Sequence, residues 1–366
     1  KIGVKGDKVT AASLYLIGDT GAYATHGLTV TMVGGFKGLT LYNSPNSRFI
    51  CDVVYTNTVV AGAYRGYGSM QCQYGIEVLM SEIADRLGLD VVDFKKKNWI
   101  KVGEEMYLSQ QLGEGRTGVR QELVTSAMEQ CVEIGRRVTD FDAKRAAYRD
   151  QTGRYRRGIG MAVVMHGSSV ANLDMAAATL KMNDDGSFNL LMGATDLGTG
   201  SDTILAQIAA EVLNTDVDDI IVYSSDTDFT PFDKGAYASS TAYLSGEAVR
   251  KTAVNIKNQL LEHAGKMMGV KDLNTLRLEY KKVVAADGRQ VSFEEIGLSS
   301  LHQMAQHQIM ATESHVSPVS PPPTAAQFVE IVVDTETGKV DTERLVMVVD
   351  CGRVINPVTA SGQVEG

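Results

Sequence analysis

With 366 residues the chain is long enough for two or three domains. Hydrophobic residues make up 44% and charged residues 22%, the balance of a globular protein with a sizeable core. A net charge of −9, without a basic block, argues against nucleic acid or an anionic membrane surface as partner. No apolar run has the length of a membrane span.

In chain order, residues 1–60 read as β-rich, with strands at Lys8–Ala11, Ser13–Ile17 and Phe49–Tyr55 and strong turn signals from Gly18 to Tyr23. Then comes a compressed stretch, Ala61-Gly62-Ala63-Tyr64-Arg65-Gly66-Tyr67-Gly68-Ser69-Met70-Gln71. Its glycines permit φ > 0 or close approach of a bound group. The tyrosines offer flat faces with polar tips, and Arg65 a fork of donors for an anion. A tight strand-to-helix turn with half-buried tyrosines is the bland alternative.

Apolar residues at helical spacing (Tyr74, Val78, Leu79, Ile83, Leu87) predict a helix from Cys72, closed by Gly88. Asp90 caps a second helix ending near Trp99, and a third is expected from Val119 to Val138. Residues 139–157 are charged, lack an apolar stripe and form the expected linker.

Beyond it lie a strand at Arg157–Met165, a hairpin of Met175–Met182 and Phe188–Met192 turning at Asp184-Asp185-Gly186, and a helix at Thr203–Leu213. A strand at Ile220–Tyr223, a long helix from Ser245 to Met268, a Pro321-Pro322-Pro323 loop and a last hairpin of Phe328–Asp334 with Leu345–Asp350 complete the pattern.

The unit of strand, small-residue loop and helix occurs three times, near 62–69, 193–203 and 235–245. Three such loops suggest a large polar, phosphate-bearing ligand held mainly by backbone N–H groups; three ordinary helix N-termini are the alternative. Gly198-Thr199-Gly200-Ser201-Asp202-Thr203 is neither a Walker A loop nor a dinucleotide fingerprint, because threonine stands where the third glycine belongs.

Other chemistry-bearing residues read as structural. His302 and His307 are five apart, the wrong spacing for paired zinc ligands on a helix, and are expected to be solvated or locally bonded. His166 either lines a pocket or is a satisfied structural side chain. Asp196 and Asp202 are expected to cap the following helix. Met161, Met165, Met175, Met182 and Met192 are expected as core filler. Cys51, Cys72, Cys131 and Cys351 form no C-x-x-C, which argues against an iron–sulfur cluster or zinc finger within the chain. Reduced thiols and a cytoplasmic location follow as the expectation. The start at Lys1 and the stop at Gly366 suggest a piece of a longer polypeptide.

Taken together, the motifs resemble the xanthine dehydrogenase/aldehyde oxidase family of molybdenum hydroxylases. Gly62 to Gln71 resembles its A-F-R-G-F-G-x-P-Q signature, and Gly193 to Thr203 its G-G-T-E-M-G-Q-G loop. Ala238-Ser239-Ser240-Thr241 is similar to the loop under the molybdenum. Asp350-Cys351-Gly352-Arg353, Ile355-Asn356-Pro357 and Gly362-Gln363-Val364-Glu365-Gly366 match D-x-G-x-x-I-N-P…G-Q-x-E-G. The matches keep the family's order and span nearly the whole chain.

The resemblance implies an α+β fold of two mixed molybdopterin-binding domains: a partial first one at 1–138, the linker at 139–157 and a partial second one at 158–366. It implies a molybdopterin cofactor with molybdenum, in the cytosine dinucleotide form if bacterial. [2Fe–2S] clusters and FAD would sit on partner subunits or domains of a hetero-oligomer. Carried over, Gly198, Thr199, Gly200, Ala238, Ser239, Ser240, Thr241 and Gln363 bind the cofactor. Arg65 and Ala238 approach the metal mainly through backbone groups, while Tyr64 and Tyr67 sandwich a flat small-molecule substrate. Thr199 stands where many relatives have glutamine.

The family hydroxylates an electron-poor carbon with water as oxygen source, assisted by a general-base glutamate. That glutamate is expected beyond Gly366 and the G-G-x-F-G-G-K loop before Lys1, so the piece alone is expected to be inactive. A purine or other N-heteroaromatic is the leading substrate class. Aldehyde oxidation, reduction of an aromatic thioester (hydroxybenzoyl-CoA type) and an inactive structural or interaction domain are the alternatives.

Overall fold

Exposed and half-buried residues alternate from Lys8 to Ala11 and again from Leu14 to Asp19, the period-two signature of a strand, with a change of phase at Ala12 and Ser13. The computed structural model describes residues 1–112, 116–303 and 306–366. The chain divides into two units, Lys1–Gly167 with Ser320–Gly352, and Ser168–Val319 with Arg353–Gly366.

In the first unit β1 (Ile2–Lys5) and β2 (Lys8–Asp19) form an antiparallel hairpin. A helix, α1 (Gly27–Leu41), carries the chain across to β3 (Ser47–Val54), which pairs parallel to β2. Only strands and turns were expected over 1–60, so α1 is a correction. Its glycines lower local helix propensity by about 1 kcal/mol each, yet they are what the packing requires. A Cβ on Gly34 would lie 2.7 Å from the Gly68 carbonyl oxygen, and one on Gly35 2.2 Å from the Phe49 ring.

The chain continues through α2 (Ser69–Arg86), ended by Gly88 at φ +66°, and α3 (Val91–Asn98). The Asp90 carboxylate accepts from Val92 N and Asp93 N at 2.9 and 3.0 Å, the expected cap. Helix α4 begins only at Met128 (Met128–Thr139), not at Val119. The preceding stretch bridges back in extended form, Glu122 pairing with Glu105.

Residues 139–157 do not form a free linker. They hold α5 (Phe141–Ala147), whose Phe141 is fully buried with its ring 5.4 Å from that of Phe328. Lys144 and Tyr148 also bind Glu330, at 2.5 and 2.7 Å. One aromatic anchor and two polar pairs seat this segment within the first unit, and neither kind of contact leaves an apolar stripe in the sequence. Strand β4 (Tyr155–Met165) follows.

The second unit is built on β5 (Met175–Met182), β6 (Phe188–Met192), α6 (Ser201–Leu213), β7 (Ile220–Ser224) and α7 (Gly246–Met268). The β5–β6 hairpin turns at the expected Asp-Asp-Gly, and α6 is the crossover between parallel β6 and β7. Three short antiparallel strands, β8 (Leu276–Glu279), β9 (Lys282–Ala285) and β10 (Gln290–Ser292), precede α8 (Phe293–His302). Strand β11 (Met310–Val316) then completes a sheet of order β11-β5-β6-β7. Leu180, Phe188 and Leu190 of that sheet, Leu205 of α6 and Ile256 of α7 share one fully buried core.

The chain returns to the first unit as the hairpin β12 (Thr324–Asp334) and β13 (Val340–Asp350), with β4 pairing on the other edge of β12. It ends in the second unit with α9 (Pro357–Glu365). Cys51, Cys72, Cys131 and Cys351 are unpaired. Among the described residues no helix is long and apolar enough to cross a membrane.

Candidate cofactor and substrate site

In the second unit, the chain leaves β6 through Gly193, where backbone crowds backbone: a Cβ there would lie 2.5 Å from the Pro231 carbonyl oxygen. Gly198 and Gly200 adopt φ +89° and +76°, left-handed conformations that favour glycine. The Asp196 carboxylate ties this loop together. It accepts from Gly198 N at 2.8 Å, Gly200 N at 3.1 Å and Asp202 N at 3.3 Å. Burial pushes this carboxyl up, but the N–H donors of Gly200, Asp202, Gly198 and Thr199 outweigh it and hold Asp196 below its usual range.

Asp202 is not a cap. Its Oδ2 accepts from Ser224 Oγ at 3.1 Å, while Oδ1 and the neighbouring Ser201 Oγ are buried with no partner among the described residues. Burial first, and Asp196 beside it, push the Asp202 carboxyl up.

The second loop is organised by Asp233, which accepts from Gly235 N at 2.7 Å and Ser245 Oγ at 2.6 Å. Ala238 and Ser239 sit at φ +47° and +57°, left-handed positions that cost a non-glycine residue energy. The Ala238 carbonyl accepts from Ser169 N at 2.9 Å. Ser240 donates its N–H and its hydroxyl to the Tyr237 carbonyl. Thr241 begins a π turn that opens α7.

The two loops and α9 converge. A Cβ on Gly235 would lie 3.2 Å from Thr195 Oγ1, and one on Gly200 2.7 Å from Thr359 Cγ2. Gln363 lies on that same α9, whose start is capped by Asn356 through Val358 N and Thr359 N. Thr195, at the head of the first loop, thus lies against Gly235, three residues before Ala238, and Gly200 lies against the helix that carries Gln363, all within one unit.

In the first unit, Tyr67 N donates to the Tyr64 carbonyl at 2.8 Å, closing the turn that the three glycines suggested. Gly66, Tyr67 and Gly68 take φ +94°, +44° and +83°, and a Cβ on Gly68 would lie 2.2 Å from the Val30 carbonyl oxygen. Tyr64 is 77% exposed and so is not core, whereas Tyr67 is half-buried and Arg65 is exposed. The Tyr67 hydroxyl meets His26 Nδ1 at 2.6 Å. Little in the local sequence marks His26, whose partner is 41 residues away. The only available signal was its place beside the glycine that starts α1.

Two observations bear on whether a molybdopterin group fits. The second unit offers a cradle of glycines that a Cβ would fill, and at the start of α6 an orphaned hydroxyl that can donate beside an orphaned carboxylate oxygen that can accept. Among the described residues no cluster of three or more His, Cys, Asp or Glu side chains could hold a metal ion directly. The glycine cradle and the two unpartnered polar atoms fit an organic, hydrogen-bonding group.

Residues 135–366 match the family model of a molybdopterin cofactor-binding domain, and residues 1–99 match a second model of the same description. The chain belongs to the molybdopterin-binding large-subunit family of molybdenum hydroxylases. It is 33% identical over 368 residues to the probable hypoxanthine oxidase XdhD of Escherichia coli K12, covering all of this chain and 38% of that protein. It is 33% identical over 360 residues to the putative xanthine dehydrogenase molybdenum-binding subunit XdhA of the same strain, covering 97% and 46%. The chain thus spans less than half the length of these curated relatives. The fold is shared with the Cu,Mo CO dehydrogenase structure, at TM-score 0.81, 23% identity and coverage of 99% and 48%. It is shared equally with quinoline 2-oxidoreductase from Pseudomonas putida 86, at TM-score 0.82, 22% identity and coverage of 98% and 47%.

Proposed function

We propose that the chain is part of the molybdenum-binding subunit of a xanthine dehydrogenase-like hydroxylase, acting on a purine or other N-heteroaromatic with water as oxygen source. The observation that carries this reading is the close approach of Gly200 to Thr359 of α9 and of Thr195 to Gly235, in a loop followed directly by two buried polar atoms without partners among the described residues. The relatives named for hypoxanthine and xanthine support the substrate class.

In this reading Gly198, Thr199, Gly200, Ser239, Ser240, Thr241 and Gln363 line the cofactor, the glycines by leaving it room and the others through hydroxyls, the Gln363 amide and the N–H groups not already given to Asp196 or to the Tyr237 carbonyl. When bound, the cofactor supplies the redox centre that accepts two electrons from the substrate carbon. Arg65 and Ala238 would be the residues to approach the metal, mainly through backbone groups. Tyr67, and less directly Tyr64, sandwich the flat ring and hold it in place. The general-base glutamate is supplied from outside these residues, so the 366-residue chain alone does not turn over. A cytosine dinucleotide tail, an iron–sulfur subunit, a FAD subunit and a cytoplasmic hetero-oligomer belong to the same proposal.

The test is turnover by the full-length, cofactor-loaded protein with xanthine, nicotinate and a simple aldehyde. Oxidation of a heteroaromatic is the expected result. Oxidation of the aldehyde alone, or of none while molybdenum is present, would overturn the substrate class.

A further inference from the structure

On α1, Lys37 directs its ammonium at Gly167. A Cβ on that glycine would lie 2.6 Å from Lys37 Nζ and 2.9 Å from Ser320 Oγ, so the bare backbone is what leaves room for the cation. The preceding residue, His166, places Nδ1 3.3 Å from Ser69 Oγ. Ser69 opens α2 and directly follows the loop of Tyr67, to which α1 is itself pinned where Gly34 meets the Gly68 carbonyl. A cation, a hydroxyl and an imidazole therefore gather within the first unit at the start of α2. Lys37 and His166 each keep partial access to solvent.

The charge here is unbalanced. Burial alone pushes the Lys37 ammonium down to about 8, with no carboxylate among the described residues acting on it. Burial first, and then the charge of Lys37, hold His166 down at about 4. Near neutral pH the imidazole is uncharged and Lys37 carries the local charge. Lys95, also withdrawn from solvent, shows the usual solution: Glu77 stands 2.8 Å away. A desolvated ammonium without a counter-ion is unfavourable, and the N-terminal end of α2 adds potential of the same sign.

We propose that Lys37, Ser69 and His166 form an anion subsite that takes the carboxylate of a flat ring lying against the Tyr67 loop. Its description as a substrate subsite rests on the reading of that loop as substrate-facing. A single cation matches a single negative charge. The two oxygens of a carboxylate match the two donors, the Lys37 ammonium and the Ser69 hydroxyl. In the Nδ1–H tautomer His166 donates to Ser69 Oγ and leaves the hydroxyl hydrogen for the ligand. A phosphate dianion would call for more donors than these.

The experiment is equilibrium binding to the full-length protein of two probes of the same shape, pyridine-3-carboxylate and pyridine-3-carboxamide, followed by calorimetry. The carboxylate is expected to bind about tenfold or more tightly than the amide, as a charge-assisted pair predicts. Lys37→Met should abolish that preference and leave the amide within about twofold, while Lys37→Arg keeps most of it. Ser69→Ala, a change of one atom that keeps the fold readable if Lys37→Met does not, should weaken the carboxylate alone by about three- to tenfold. Equal binding of both probes by the unmodified protein, or equal weakening of both by either variant, would overturn the subsite. Because binding needs no turnover, loss of the hydroxylase reading would leave this result standing, and loss of the preference would leave hydroxylation untouched.

Discussion

The Tyr67 hydroxyl lies 2.6 Å from Nδ1 of His26, with the two rings edge to face at a centroid separation of 5.9 Å. Tyr67 takes φ +44° between two glycines that are also left-handed, so its backbone is placed by the turn and its ring tip is held by α1's first neighbour. His26→Ala should therefore loosen the ring without removing it. A hydrogen bond of this kind contributes about 0.5–1.5 kcal/mol net, so KM for a flat substrate should rise roughly two- to tenfold with kcat little changed. Steady-state kinetics of the full-length enzyme would measure both.

Asp196 gives a second prediction. Its carboxylate receives three backbone N–H groups and holds the Gly198–Gly200 loop in a shape that needs two left-handed glycines. Asp196→Ala leaves those donors without their acceptor, at roughly 1–3 kcal/mol each where they stay buried. Molybdenum content of the purified full-length variant should fall by about half or more, whereas Asp196→Asn, which keeps one acceptor oxygen, should retain more of it.

The Glu77–Lys95 pair predicts a stability effect away from the site. Lys95 Nζ donates to Glu77 Oε2 at 2.8 Å and to the Met161 carbonyl at 3.0 Å. The same carboxylate receives Val163 N at 2.9 Å and the Tyr42 hydroxyl. Burial, then the charge of Glu77, pushes the Tyr42 phenol well above its usual range. Lys95→Met alone strands a buried carboxylate and should cost about 3–5 kcal/mol. Lys95→Met combined with Glu77→Gln should cost less than the two single changes added together, as read from denaturant midpoints.

The pH dependence of stability has a definite sign at His166. Its folded value of about 4 lies below the ordinary histidine range near 6.5. Between those values the unfolded chain binds a proton that the folded one refuses, so stability falls as pH drops from about 6.5 to about 4 and then levels off. The loss should be on the order of 2 kcal/mol after allowance for partial solvent access. His166→Gln should flatten that segment of the profile. A separate loss is expected at lower pH. Arg154 beside Asp334 holds that carboxyl well below the usual carboxylate range, so the stability it contributes is present above about pH 4 and fades below it.

The legible parts of the fold were those whose signal is local. Asp90, the Asp-Asp-Gly turn and the glycine loops announce themselves within a few residues, and each stands where the sequence placed it. Helix α1 was hidden because Gly34, Gly35 and Gly38 serve contacts with α2 and β3, and such contacts leave no periodic stripe. The start of α4 was misplaced because apolar residues before Met128 belong to an extended bridge. Phe141 made a packed segment of an apparent linker through one partner, Phe328, 187 positions further along the chain (328 − 141). At the candidate site, loop glycines were readable from their type alone. His26, Lys37 and the orphaned Ser201 hydroxyl were not, since each acquires its meaning only from what surrounds it.

The most direct test of the cofactor assignment is to analyse the full-length protein, purified from cells supplied with molybdate, for molybdenum and for the nucleotide released on acid hydrolysis. Stoichiometric molybdenum with a cytidine nucleotide is the predicted result. A folded protein carrying neither, from cells in which other molybdenum enzymes are loaded, would contradict the account.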